Sequence, residues 1–145
     1  MHKFISLTVE SAMTTNVRGI TLETSLKEIG QIFEETGFHM LPVLEGKLLL
    51  GVVSEYDFLR AFIFSNLSPV PHYERLLDKT AAHIYNADPL TVSSAQPLSR
   101  VLQMIVESQA RSFPVVNADQ EILGIISRHD VVVRLMPEYQ NLSLL

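Results

Sequence analysis

The chain states one pattern twice, and that constrains its fold more than any other feature. Leu41-Pro-Val43 and Gly51-Val-Val-Ser-Glu-Tyr-Asp57 return as Phe113-Pro-Val115 and Gly124-Ile-Ile-Ser-Arg-His-Asp130. The offset is 72 for Leu26 and Leu98, Gln31 and Gln103, Glu35 and Glu107, and Pro42 and Pro114; it is 73 for Gly51 and Gly124, Ser54 and Ser127, and Asp57 and Asp130. One residue has therefore been added between Pro114 and Gly124. A repeat this long, present only twice, is not the short period of a solenoid. It predicts two similar units packed about a pseudo-two-fold axis, with function in the clefts between them.

Composition narrows the function classes. At 145 residues and 47% hydrophobic content the chain can bury a full core. Its formal charge is -5, and its 11 Lys and Arg are scattered rather than striped, which argues against a nucleic-acid partner. With no cysteine there are no disulfides, thiol nucleophiles or thiolate metal sites. The five histidines show no pair at metal-ligand spacing with a carboxylate. The opening Met1-His-Lys-Phe-Ile-Ser-Leu-Thr-Val-Glu10 is too short in apolar residues for a signal peptide, and no window approaches a membrane span. The expectation is a cytoplasmic protein without a membrane partner.

Each copy carries the same order of elements. Ser25-Leu-Lys-Glu28 reads as a capping box, with Leu26, Ile29, Ile32 and Phe33 at helical spacing up to Gly37. In the second copy Pro97 takes the first helical position, ahead of the stripe Leu98, Val101, Leu102 and Ile105. Met40-Leu-Pro-Val-Leu44 and Leu48-Leu-Leu-Gly-Val-Val53 flank a Gly-containing turn, and Phe113-Pro-Val-Val116 and Ile122-Leu-Gly-Ile-Ile126 repeat the hairpin. A helix should follow each hairpin, from about Tyr56 to Phe64 and from about His129 to Met136; Pro69, Pro71 and Pro137 end them. His72 to Lys79 reads as a linker helix. Ile20-Thr-Leu22 and Thr91-Val92 predict a further short strand at the front of each copy. Pro42 and Pro114 should terminate edge pairing. The expected division is residues 1–70 for the first repeat, 71–80 for the linker and 81–145 for the second.

These residues resemble a tandem pair of CBS domains, a Bateman module, in its stand-alone form. The likeness rests on hydrophobic-Pro-Val in the first hairpin strand and Gly-x-x-Ser-x-x-Asp leaving the second, twice over, and runs from about Val9 to Met136. Val9-Glu-Ser-Ala-Met-Thr-Thr-Asn16 resembles the opening of the first repeat and brings in Thr14; His83-Ile-Tyr-Asn-Ala-Asp88 departs from that pattern. The resemblance implies an α/β (α+β) fold of two β-α-β-β-α repeats with pseudo-two-fold symmetry. It implies a regulatory module, without catalysis, that binds AMP, ADP, ATP or S-adenosylmethionine in the clefts between repeats. No cofactor is required, and any Mg²⁺ would arrive with a nucleotide. The resemblance also implies that each cleft combines Ser and Asp of one repeat with strand and pre-strand residues of the other. One site would then join Ser54 and Asp57 to Arg111 and Ser112, the other Ser127 and Asp130 to His39 and Met40.

The residue types suit an adenosine ligand on physical grounds. Gly51 and Gly124 let a ring approach the strand backbone. Ser54 and Ser127 stand where a helix begins, which favours a phosphate. Asp57 and Asp130 can accept from both hydroxyls of a ribose cis-diol. Ile20, Val52, Val92 and Ile125 could sandwich the adenine. Beside Ser127 stand Arg128 and His129 where the first copy has Glu55 and Tyr56, so phosphorylated ligands should favour the Ser127/Asp130 site, with Arg128 on the phosphate. Two rival readings stand beside this one. Ser-x-x-Asp is also an ordinary N-cap, which would fit a structural module with empty clefts that mediates oligomerisation. Ser127-Arg-His-Asp130 invites a hydrolase, but side chains in one helical turn diverge and cannot form hydrogen bonds in series.

Two expectations concern assembly. Phe58, Leu59, Phe62, Ile63 and Phe64, and Val131, Val132, Val133, Leu135 and Met136, make the post-hairpin helices apolar on more than one face, which predicts a homodimer. Few residues flank the repeats, so regulation is expected to reach an effector protein in trans.

Overall fold

Ser25 opens the first long helix by accepting the N–H of Glu28, and the apolar stripe behind it is buried at Leu26, Ile29, Ile32 and Phe33. The structure, a computed structural model, describes residues 3–63 and 73–136. In chain order the helices and strands are α1 (Val9–Ala12), α2 (Leu26–Thr36), β1 (Met40–Glu45), β2 (Leu48–Ser54), α3 (Glu55–Arg60), α4 (Tyr73–Asp78), α5 (Leu98–Ser108), β3 (Ser112–Val116), β4 (Ile122–Ser127) and α6 (Arg128–Leu135). Short 3-10 turns lie at Phe4–Ser6 and Ala81–His83. Pro97 sits one place before α5, in extended conformation, rather than inside it. The end of α3 at Arg60 is short of the expected Phe64, which lies outside the described residues with Pro69, Pro71, His72 and Pro137.

β1 pairs antiparallel with β2, and β3 with β4. Matching irregularities fall at Val43/Leu44 and Val115/Val116. The added residue of the second hairpin is absorbed by Asn117, whose Oδ1 accepts the N–H groups of Asp119 and Glu121. Each front strand shrinks to one parallel bridge, Ile20 to Val43 and Val92 to Val115. Pro42 and Pro114 do not end the pairing there. They lie inside strands, and their carbonyls accept the N–H of Ile20 at 2.9 Å and of Val92 at 3.0 Å.

The described chain forms two compact units, and they do not divide where the repeats do. One comprises Arg18–Pro89 and is called the first unit; the other joins the residues up to Val17 to those from Leu90 onward and is called the second. The units follow backbone pairing, whereas the expected division at 70, 71–80 and 81 concerns the sequence repeats, and each edge strand takes a backbone partner from beyond its own repeat. β4 takes Thr14, which exchanges hydrogen bonds of 2.8 and 2.9 Å with Ile125; β2 takes Asn86, which exchanges bonds of 3.0 and 2.8 Å with Val52. Asn86 lies 72 positions after Thr14, so the divergent opening of the second copy keeps the backbone role of the first. Each unit has its own core. Leu26, Ile29, Leu41, Val43 and Val53 lead the first, and Phe4, Val9, Leu98, Phe113 and Ile126 the second. The division leaves α4 (Tyr73–Asp78), the expected linker helix, within the first unit.

Candidate functional site

In both units the second hairpin strand runs straight into a helix, and the junction is a serine. The Ser54 hydroxyl accepts the Asp57 N–H at 3.0 Å, and Asp57 Oδ2 accepts the Ser54 N–H at 2.9 Å. The Ser127 hydroxyl accepts the Asp130 N–H at 3.2 Å, and Asp130 Oδ2 accepts the Ser127 N–H at 2.9 Å. Both are complete capping boxes. Capping does not exhaust the groups. Each serine keeps its O–H donor, and each carboxylate keeps lone pairs on both oxygens. The same two residues can thus hold the helix start and meet a ligand.

Hairpin register fixes the neighbours within a unit. Met40 lies opposite Ser54 and Ser112 opposite Ser127. The Glu55 N–H donates to the His39 carbonyl at 3.0 Å and the Arg128 N–H to the Arg111 carbonyl at 2.8 Å. His39 and Met40 therefore sit beside Ser54 and Asp57 inside the first unit, and Arg111 and Ser112 beside Ser127 and Asp130 inside the second. His39 Nδ1 pairs with Glu55 at 2.8 Å, with both side chains about half exposed. Arg111 is exposed, Ser112 half-buried and Met40 buried.

Three expectations about the site change. Ile20 and Val92 are 4% and 2% exposed and belong to the unit cores, because one-residue bridges turn their side chains inward. Little of either side chain is left on the surface of its unit. Arg128 does not stand free for a phosphate. It folds back on α5, donating from Nε to the Ala110 carbonyl at 2.9 Å and from its guanidinium to the Gln109 carbonyl, where a cation meets the negative end of the helix. The strand glycines make room for protein rather than ligand. A Cβ on Gly51 would lie 2.3 Å from the Asn86 carbonyl oxygen, and one on Gly124 would lie 2.6 Å from that of Thr14. Thr14 is exposed and contributes its backbone to that bridge.

Sequence reasoning passed over Arg60, which donates to Asp57 Oδ1 at 3.2 Å. The signal was available, since residues three apart on a helix are neighbours. A hollow of about 470 Å³ in the second unit is lined by Thr91, Ser93, Asn117, Gln120 and Leu123; of the candidate residues it touches only Val92. Among the described residues no group of three His, Cys, Asp or Glu could hold a metal ion, and no helix is long and apolar enough to cross a membrane. Among the described residues His129 is exposed and makes no hydrogen bond to Ser127 or Asp130, so the three are not joined in series.

A model of the CBS domain matches residues 9–63 and again 81–137. Curated relatives include the chloroplast CBS domain-containing protein CBSX2 of Arabidopsis thaliana, 29% identical over 137 residues, which take in 81% of this chain and 58% of that protein. Another is protein MJ1225 of Methanocaldococcus jannaschii, 23% identical over 128 residues, with 86% of this chain and 45% of that protein. The chain thus spans about half the length of these two relatives. Among solved structures, CBSX2 in complex with AMP is similar at a TM-score of 0.76 and 28% identity, covering 94% of this chain and 97% of that one. The crystal structure of MJ1225 superposes at a TM-score of 0.83 and 22% identity, over 89% of this chain and 48% of that one, which is a likeness of fold.

Proposed function

Because the chain belongs to the CBS domain family through both of its repeats, we propose that it is a regulatory module that binds an adenosine ligand at its Ser-x-x-Asp edges and signals to an effector protein in trans. The observation that carries this reading is the recurrence of one geometry in two units. A serine at a helix start, an aspartate three residues on and a pre-strand polar residue across the hairpin come together around Ser54 and around Ser127. AMP leads the ligands, because a relative 28% identical along nearly its whole length is seen in complex with it. ADP, ATP with Mg²⁺ and S-adenosylmethionine carry the same adenosine. Ser serves phosphate or ribose and Asp serves ribose; the module performs no catalysis and works in the cytoplasm.

It acts as a homodimer in this reading. Tyr56 and Leu59 on α3 and Ile63 just beyond it are exposed, and so are Val132 on α6 and Met136 just after it, at the positions equivalent to Leu59 and Ile63. Phe58 is turned inward, edge-on to Phe33 at 5.9 Å, and Val131 is buried, so Leu59, Ile63, Val132 and Met136 supply the outer surface. Phe64 lies outside the described residues. A second reading, a structural module with unfilled edges, draws support from the capping boxes being complete without a ligand.

A melting-point screen separates the two. A ligand at about 100-fold over its dissociation constant adds about 2.7 kcal/mol. AMP, ATP or S-adenosylmethionine should raise the melting point of the wild type, and the response should shrink in Asp57→Ala and in Asp130→Ala. A flat response to all three at millimolar concentration favours the structural module.

A further inference from the structure

The two aspartates on which the adenosine reading rests are in different states. Asp57 is 9% exposed and both of its oxygens are engaged, Oδ2 by the Ser54 N–H and Oδ1 by Arg60. Arg60 is itself held, with its guanidinium 5.4 Å from the centre of the Tyr56 ring. Asp130 is half-buried, and its Oδ2 takes the Ser127 N–H as in the first unit. Among the described residues nothing donates to its Oδ1. The place equivalent to Arg60 is Val133, which has no donor. Arg134, one place further, donates to the Ser11 carbonyl at 3.3 Å.

We propose that Arg60 holds the first unit's carboxylate closed, so that the Ser127/Asp130 edge takes an adenosine ribose first and Arg60 sets the difference between the two edges. This rests on the adenosine reading and deepens it. A cis-diol brings two neutral O–H donors, and a carboxylate offers about four lone-pair sites. At Asp130 one is used by the cap and Oδ1 stands open. At Asp57 the cap and Arg60 have taken one on each oxygen. A guanidinium N–H is a stronger donor to a carboxylate than a neutral hydroxyl. Ribose must displace it or accept the poorer remaining direction. The effect is limited, because Arg60 is 57% exposed and pairs across three residues of one helix, where solvent screens the charge.

The test is calorimetric titration with adenosine, which has no phosphate for an arginine to attract. Wild type should bind more tightly at one edge than at the other, and Asp130→Asn should remove the tighter step. Arg60→Val, which installs the residue type of the second unit on an exposed position, should strengthen the weaker step about two- to fivefold. Val133→Arg should weaken the tighter one by a similar factor. A merely structural Arg60 would shift affinity the other way, with Arg60→Val lowering both the melting point and adenosine binding. The inference is overturned if Arg60→Val leaves the weaker step unchanged or weakens it, or if Asp57→Asn is the variant that removes the tighter step. Absence of heat with both adenosine and AMP in the wild type would overturn the adenosine reading itself, and this inference with it.

Discussion

In the first unit the chain leaves α2 through Gly37, at a φ of +69°, and Glu55 at the start of α3 reaches back to His39. In the second it leaves α5 through Gln109, at a φ of +60°, and Arg128 at the start of α6 reaches back to the carbonyls of Gln109 and Ala110. Glycine enters the left-handed region freely, whereas glutamine there costs about 1 kcal/mol. Arg128 supplies donors at the place where that cost arises. The backbone bonds agree in the two units, from the Ile20 and Val92 bridges to the Asn86 and Thr14 bridges. The side chains that complete them do not. Backbone donors and acceptors have to be paired wherever a strand is buried, so the frame is common to both copies. Side chains around the Ser-x-x-Asp junctions are under no such common requirement, and there the first copy places Glu55 and an Asp57 paired with Arg60, while the second places Arg111, Arg128 and an Asp130 without such a partner among the described residues.

Substitutions in the cores should have the largest effects. Phe113→Ala in the second unit should cost about 3–5 kcal/mol, and its counterpart Leu41→Ala about 2–5 kcal/mol. Both side chains are fully buried. Chemical denaturation followed by near- and far-ultraviolet signals would show whether each lowers one transition or both. If the units are coupled through the shared backbone, the two variants move a single transition together; separate transitions would show units that fold independently.

Next in size are the strand glycines. Gly51→Ala and Gly124→Ala should each cost about 1–3 kcal/mol, since the new methyl would meet a backbone carbonyl. Gly51→Ala should be the worse, because its gap is 2.3 Å against 2.6 Å and Tyr85 adds a contact at 2.7 Å. Equal midpoints for the two variants would contradict that ranking, and no loss in either would contradict the close approach of the Asn86 and Thr14 bridges to the strand glycines.

Smaller effects distinguish the rims. Ser54→Ala and Ser127→Ala should each cost about 1 kcal/mol through the lost cap, in equal measure. Gln109→Gly should stabilise by up to about 1 kcal/mol, and should recover part of what Arg128→Ala loses. A Gln109→Gly variant less stable than the wild type would show that the Arg128 hydrogen bonds to Gln109 and Ala110 do not answer backbone strain. The smallest shift belongs to Glu55→Gln, about 0.5 kcal/mol or less, because the His39 pair is half exposed and screened.

Much of this was legible from residues alone. The Ser25 cap, the Leu26, Ile29 and Phe33 stripe, the hairpins and the Ser-x-x-Asp junctions each follow from local chemistry that a sequence displays. The exchange of Thr14 into the second unit and Asn86 into the first was not. Each bridge involves one residue, and one residue has no periodicity to read. Ile20 and Val92 illustrate a related point: apolar type says that a side chain avoids water, but not whether it does so in a core or against an adenine. Gly51 and Gly124 signalled a close approach correctly, while what approaches is decided by residues far off in the chain. Arg128 was read for its attraction to phosphate, and the carbonyls at the end of α5 compete for the same donors.

The account is tested most directly by the amide spectrum of the protein titrated with AMP. The N–H groups of residues 54–57 and 127–130, with those of His39, Met40, Arg111 and Ser112, should shift together and saturably, and the Ser127 set should do so at the lower concentration. Shifts confined to the hollow around Thr91, Asn117 and Gln120, or an unchanged spectrum at millimolar AMP, would contradict it.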